Sequence, residues 1–145
     1  MKLVNAGDSA TGAVAARRAT RRDVRAFGQR MVTEHGAKND TLAARRLATP
    51  PARESEISQQ LQADHQRALA MLRAAPATGF DSAYLTSTIE AHGKVLDLID
   101  RVMLPQARTA ELRTALQNAR TSVSAHLSRA TQLQQTLSTT TSREP

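Results

Sequence analysis

The four histidines of this chain lie on or beside the apolar faces of predicted helices. His35 follows Met31 by four residues and Phe27 by eight, a spacing that places all three on one face of a helix. His92 and His126 stand in the same way on the apolar stripes of two later helices. Neutral imidazoles are good ligands for divalent transition metals, so histidines that converge inside a helical bundle would form a metal site.

We predict that His35, His92 and His126 bind one metal ion, because residues in the middle of antiparallel helices lie at similar heights. Asp8, on the first helix, is the candidate fourth ligand and would add an oxygen donor. The ion would be zinc, iron, manganese or copper. His65 lies at the edge of an apolar stripe, and whether it joins the site is left open.

The competing interpretation is that the histidines are core residues, each satisfied by a hydrogen bond. On that interpretation the protein has no cofactor and works through its surface, as a structural or interaction module. Glu34 and Glu90 adjoin His35 and His92 in the sequence and are candidate acceptors for their ring N–H groups. For Glu34 a position facing water is the simpler expectation.

The motifs of known enzyme classes are missing from the sequence. A carboxylate-bridged di-iron site needs a Glu-x-x-His pair on each of two helices, and no glutamate of this chain is followed by histidine at that spacing. We also find no Gly-rich phosphate loop, no nucleophile motif and no His-Glu-x-x-His. A non-enzymatic protein is therefore favoured, and an oxidase would rest on analogy of fold alone.

Composition favours an all-α protein. The 145 residues include two Phe, one Tyr and no Trp, so aliphatic side chains must fill the core.

The formal net charge is +7, but no aromatic residues interleave with the arginines, and specific nucleic-acid binding is not expected. The chain has no cysteine and therefore no disulfide. No apolar run approaches the ~20 residues that cross a membrane, and the first residues have no signal-peptide core.

Helical periodicity predicts five helices, the first short, in an antiparallel four-helix bundle that forms one domain over residues 1–137. The predicted cap of the second helix is Thr20 or Asp23, and that of the fourth is Thr78. Prolines should end the second helix near Thr49–Pro51 and the fourth helix at Pro105. Residues 138–145 form a Ser/Thr-rich tail predicted to be disordered. The helices expected are about 3–18, 24–47, 55–74, 80–104 and 112–137.

The chain resembles a bacterial family known only as a domain of unknown function, number 4142. The resemblance rests on the segment from Val24 to His35 with Asn39 following, and on three further motifs: Phe80-Asp-Ser-Ala-Tyr84, Glu90-Ala-His92, and His126-Leu127 with Ala130. It spans nearly the whole chain and implies a ferritin-like four-helix bundle. Family members are mostly exported, which implies a periplasmic or other envelope location for this chain.

The family implies the same ligand positions, since its histidines align with His35, His92 and His126. Its first helix carries Glu where this chain has Asp8, a shorter side chain. Arg120 and Thr121 replace the family's Leu-Pro, so the last helix is expected to be straighter. A homodimer is one assembly that the sequence leaves open, and no other partner is indicated.

Overall fold

Every regular element among the described residues is helical, which confirms the all-α prediction for them. A computed structural model describes residues 1–44 and 55–141, with the side chains of residues 1–37 and 55–139. The predicted end of the second helix at Thr49–Pro51 lies outside the described residues. In chain order the elements are α1 (Lys2–Arg18), α2 (Arg22–Ala44), α3 (Glu56–Ala74), α4 (Ala77–Leu98), a π-helical segment (Ile99–Met103), α5 (Leu104–Gln106) and α6 (Ala110–Thr141).

The chain divides into two compact units, Met1–Tyr84 and Leu85–Pro145. In the first unit, α1 packs against both α2 and α3. The second unit holds the remainder of α4, the π-helical segment, α5 and α6. The single domain over residues 1–137 therefore stays a prediction.

Helices α1 and α2 approach closely at a pair of glycines. A Cβ added at Gly12 would lie 2.9 Å from the carbonyl oxygen of Gly28. One added at Gly28 would lie 2.8 Å from the backbone nitrogen of Ala16. These distances are shorter than any ordinary carbon contact, so only glycine fits at either position. The first helix is rich in small residues, a pattern that predicts a close approach by a neighbouring helix, and the contact at Gly12 and Gly28 confirms it.

Replacing Gly28 with alanine is expected to lower the free energy of unfolding by about 1–3 kcal/mol, because the new methyl group would overlap the backbone of α1. The matched control is Gly36→Ala in the same helix, where an added Cβ meets no described atom within 4 Å. Alanine is the better helix former by about 1 kcal/mol, so the control should be neutral or stabilising. Urea unfolding of both variants measures the difference, and equal effects at the two positions would contradict it.

Helix α3 runs parallel to α1. Its His65 lies against Gly7, and the carbonyl groups at its carboxyl end lie against Arg18. This register places Ile57 level with the start of α1, where little of α1 is available to cover it. The spacing of Ile57, Leu61 and Leu72 predicts one buried face of α3. Ile57 is 47% exposed, so the prediction is wrong for this residue. Leu72, near the other end of α3, is fully buried as predicted.

The carboxyl end of α3 is capped by an arginine from α1. The guanidinium group of Arg18 donates hydrogen bonds to the carbonyl oxygens of Leu72, Arg73 and Ala75, each at 2.6 Å. The same group lies over the ring of Phe80, 5.0 Å from its centroid. A cation is favoured there, since the last carbonyls of a helix carry partial negative charge. Arg18 thereby connects the carboxyl end of α1 with the carboxyl end of α3 and the start of α4.

Asp81 of α4 stabilises the turn that leads into α2. Its buried carboxylate accepts hydrogen bonds from the backbone N–H groups of Thr20 and Arg21 and from the Thr20 hydroxyl, at 2.8 to 2.9 Å. Helix α2 begins at Arg22, so neither Thr20 nor Asp23 occupies the predicted N-cap position. Asp23 lies inside the first turn, where its carboxylate accepts the Val24 N–H at 2.9 Å and pairs with the Arg21 side chain at 2.8 Å. The Arg21 guanidinium lowers the pKa of the Asp23 carboxyl.

Helix α4 begins at Ala77, so the predicted cap Thr78 lies inside it. At its other end the helix does not stop at Pro105 but widens into the π-helical segment. The Leu104 N–H bonds the carbonyl oxygen of Ile99, five residues earlier. Pro105 then occupies the first turn of α5, where a missing N–H costs little. Helical structure continues through Gln106, and the predicted end was too early.

Helix α6 is one continuous helix without a proline. An alternation of four and three residues from Leu112 to Leu137 predicts an apolar seam along it. Leu112 is 47% exposed, so the seam begins later than predicted. The helix reaches Thr141, so residues 138–141 are helical where a disordered tail was predicted. The hydroxyl groups of Ser138 and Thr139 donate to backbone carbonyl oxygens four residues earlier, which is compatible with a helix. The buried seam residues are Leu116, Val123, His126, Ala130 and Leu133.

Candidate metal centre

In the first unit, α2 presents His35 at the end of a buried stripe that begins with Val24. Phe27 and Met31 lie between them and are buried as well, which confirms the predicted face. The close approach of α1 to α2 brings Asp8 to this face. Asp8 lies in the middle of α1 and is buried.

The His35 ring has an oxygen near each of its nitrogens. Its Nδ1 lies 3.1 Å from the side-chain Oδ1 of Asn5, a buried residue of α1. An amide oxygen only accepts hydrogen bonds, so Nδ1 carries the proton in the neutral ring and Nε2 carries the lone pair. That Nε2 lies 3.7 Å from Oδ2 of Asp8. The short Asp8 side chain therefore does reach the neighbourhood of His35.

In the second unit, α4 and α6 bring two buried histidines together. The rings of His92 and His126 meet edge to face, with their centroids 5.5 Å apart. Nδ1 of His92 donates to the carbonyl oxygen of Thr88, one turn earlier, at 3.0 Å. As for His35, this hydrogen bond fixes the neutral tautomer in which Nε2 is the basic nitrogen. His126 stands in the middle of the apolar seam, as predicted.

The donor atoms suit a divalent transition metal. His35, His92 and His126 are buried, and each offers one ring nitrogen that could hold a metal ion. Zinc, iron, manganese and copper all accept imidazole nitrogen together with a carboxylate oxygen. Two ligand atoms that share one tetrahedral ion lie roughly 3.3–3.6 Å apart. The 3.7 Å between His35 Nε2 and Asp8 Oδ2 is close to that separation.

A family profile matches nearly the whole chain. The family is described as "Domain of unknown function (DUF4142)", and residues 2–133 match it. The chain belongs to the DUF4142 family. Searches of curated proteins and of solved structures found no match. The matched residues include all the candidate ligands of this DUF4142 chain.

None of the described helices combines the length and the apolar character that crossing a membrane requires.

His65 of this DUF4142 chain has a different environment from the other three histidines. It is half-buried on α3, and its ring fills the space that a side chain at Gly7 would need. Burial lowers the pKa of His65, and the smaller opposing effect comes from Asp64. We therefore assign His65 to the packing of α3 against α1.

The ring partners of the histidines differ from those expected. Glu34 pairs with Arg30 at 2.5 Å, and Glu90 is exposed. The Asn5 side chain and the Thr88 carbonyl accept the ring N–H groups of His35 and His92, and the sequence reasoning missed both. Asn5 lies three residues before Asp8 and so shares its face of α1, but this spacing does not indicate which helix turn lies opposite.

Proposed function

We propose that this protein binds one divalent transition-metal ion through His35, His92 and His126, with Asp8 as the fourth ligand. The observation that carries the proposal is the tautomer of two of these rings. Both His35 and His92 donate from Nδ1 to an oxygen, so in each ring Nε2 is the nitrogen that carries the lone pair. Metal-ligating histidines commonly have this second hydrogen bond, which fixes the ring and raises its basicity.

Burial supports the same proposal. His35, His92 and His126 are each 1% exposed, and neutral imidazoles are ligands that divalent transition metals accept. Asp8 adds a negative charge that partly neutralises the ion and provides the oxygen donor that iron, manganese and zinc accept. The proposal is for metal binding and includes no reaction.

For the arrangement of the helices we propose the ferritin-like antiparallel four-helix bundle, with α1 as the extra helix. Its support is the helical content of the described residues, the short connections and the resemblance stated above. In that arrangement α1, α2, α4 and α6 would contribute one ligand each to a single ion. The periplasmic or other envelope location is proposed on the family resemblance alone.

The test is metal content and metal-dependent stability of the tag-free protein. We expect one ion per chain by elemental analysis after reconstitution with Zn²⁺, Mn²⁺, Fe²⁺ or Cu²⁺. Ligand binding at 100 times the dissociation constant stabilises a fold by about 2.7 kcal/mol, so EDTA should lower the melting temperature clearly. Two ions per chain would contradict a shared site. No bound ion and an unchanged melt would contradict metal binding.

The second candidate function is a structural or interaction module without a metal. The hydrogen bonds of His35 to Asn5 and of His92 to Thr88 favour it, because they are also what a core histidine requires. This alternative predicts that EDTA leaves the melting temperature unchanged. It also predicts that replacing Asp8 with Asn changes the stability of the protein but not the amount of metal that it binds.

A further inference from the structure

One end of the first unit concentrates arginine side chains. We call it the basic end and define it by the six arginines at the carboxyl end of α1, the start of α2 and the carboxyl end of α3. The hydrogen bonds that Arg18 donates to α3 carbonyls bring the α1 and α3 groups together. The hydrogen bonds that Asp81 accepts from Thr20 and Arg21 add the start of α2. The six are Arg17, Arg18, Arg21, Arg22, Arg25 and Arg73.

Three of these arginines hold the fold together. Arg18 caps α3, Arg21 pairs with Asp23, and Arg25 donates to the carbonyl oxygen of Ala19 at 2.9 Å. Their positions are therefore fixed by contacts within the unit.

The other three arginines are exposed and lack such contacts. Among the residues that the structure describes, the guanidinium groups of Arg17, Arg22 and Arg73 make no hydrogen bond or ion pair. The acids at this end are Asp23 and Asp81, so six arginines against two aspartates leave a net charge of +4. More than half of the chain's formal net charge of +7 is thus gathered at one end.

An exposed apolar side chain accompanies the charge. Met71, in the last turn of α3, is 46% exposed although it directly precedes Leu72, whose carbonyl Arg18 binds. Exposed arginines together with the exposed Met71, two residues from Arg73, match the chemistry of a lipid headgroup layer. The phosphates of that layer accept hydrogen bonds from guanidinium groups, and its upper acyl region accepts apolar side chains.

We propose that the basic end docks this protein on the surface of a bilayer that contains anionic phospholipids. Nucleic acid is the other polyanion to consider, and the structure disfavours it. Single-strand binding uses exposed aromatic side chains on which bases stack. The chain has two Phe and one Tyr, and all three are buried. The arginines also stand at helix ends and not along a helix face that could enter a groove.

The test is binding of the full chain to vesicles of phosphatidylcholine with one quarter phosphatidylglycerol, at 100 mM salt. Each arginine near an anionic surface contributes enough that removing three should weaken binding on the order of 100-fold. The variant is Arg17→Gln, Arg22→Gln and Arg73→Gln together. The matched control removes the same charge elsewhere, with Lys2→Gln, Arg108→Gln and Arg129→Gln, all exposed positions. Circular dichroism verifies that both variants are folded.

We expect the wild type and the control to bind these vesicles and to bind them more weakly at high salt. Neither should bind vesicles of pure phosphatidylcholine. Three outcomes would overturn the proposal. The first is no binding by the wild type, and the second is an equal loss in the variant and the control. The third is tighter binding to a DNA duplex or to single-stranded RNA at the same salt, lost in the same variant, since that identifies a nucleic acid as the partner.

Discussion

His92→Ala is expected to lower the affinity for Zn²⁺ on the order of 100- to 1000-fold, if a binding free energy of about 10–16 kcal/mol is shared among four ligands. The ring of His92 is held by its bond to the Thr88 carbonyl, so its Nε2 is preoriented for a metal. Alanine removes the donor and the orienting bond together. Competition titration with a chromophoric chelator measures the affinity, and His92→Gln serves as a second variant that keeps a polar side chain.

Two further variants make the result specific. His65→Ala removes a histidine outside the proposed site and should leave the Zn²⁺ affinity unchanged. Asn5→Leu keeps His35 but removes the acceptor of its Nδ1–H, and loss of such a partner typically costs 10- to 100-fold in affinity. The expected order of affinity is therefore wild type and His65→Ala, then Asn5→Leu, then His92→Ala. An equal loss in His65→Ala and His92→Ala would contradict the proposed ligands.

The faces of the helices could be predicted from the sequence because they depend on local spacing. His35 follows the buried residues Phe27 and Met31 at intervals of four, and the structure buries all three. His126 likewise lies within an alternation of four and three residues that is buried from Leu116 onward. Local periodicity determines which side of a helix is apolar, whatever the helix packs against. The three histidines of the candidate site were found by this signal.

The partners of these side chains could not be predicted, because they depend on which helix turn lies opposite. Asn5 meets His35 across 30 residues of sequence, and the spacing of α2 alone gives no indication of it. Asp81 accepts the N–H groups of Thr20 and Arg21 from about 60 residues away, whereas the sequence offered only the nearby Thr20 and Asp23 as polar partners for this turn. Ile57 has the right spacing for burial but lies level with the start of α1. Helix register decides each of these cases.

The hydrogen bonds of Asp81 to the turn before α2 lead to the largest expected effect on stability. Its carboxylate is 5% exposed and accepts two backbone N–H groups and one hydroxyl group at the start of α2. Asp81→Ala would leave these donors without an acceptor in a partly buried turn. Hydrogen bonds to charged groups contribute about 1.5–3 kcal/mol each, but they are not additive, and water can reach part of this turn. We expect a loss of about 3 kcal/mol in the free energy of unfolding, equivalent to roughly 10 °C in melting temperature.

A graded series separates the effect of the Asp81 hydrogen bonds from a general effect of removing an acid. Asp81→Asn keeps one acceptor oxygen but turns an amide N–H₂ toward N–H donors, so its loss should be large but smaller than that of Asp81→Ala. The control is Asp97→Ala, since the Asp97 side chain is 73% exposed and its ion pair with Arg101 spans 3.7 Å. Such surface pairs contribute about 0–1 kcal/mol, and the control should melt close to the wild type. If Asp81→Ala had the same melting temperature as Asp97→Ala, the turn between α1 and α2 would be stabilised by the packing of Gly12 against Gly28 and not by the carboxylate.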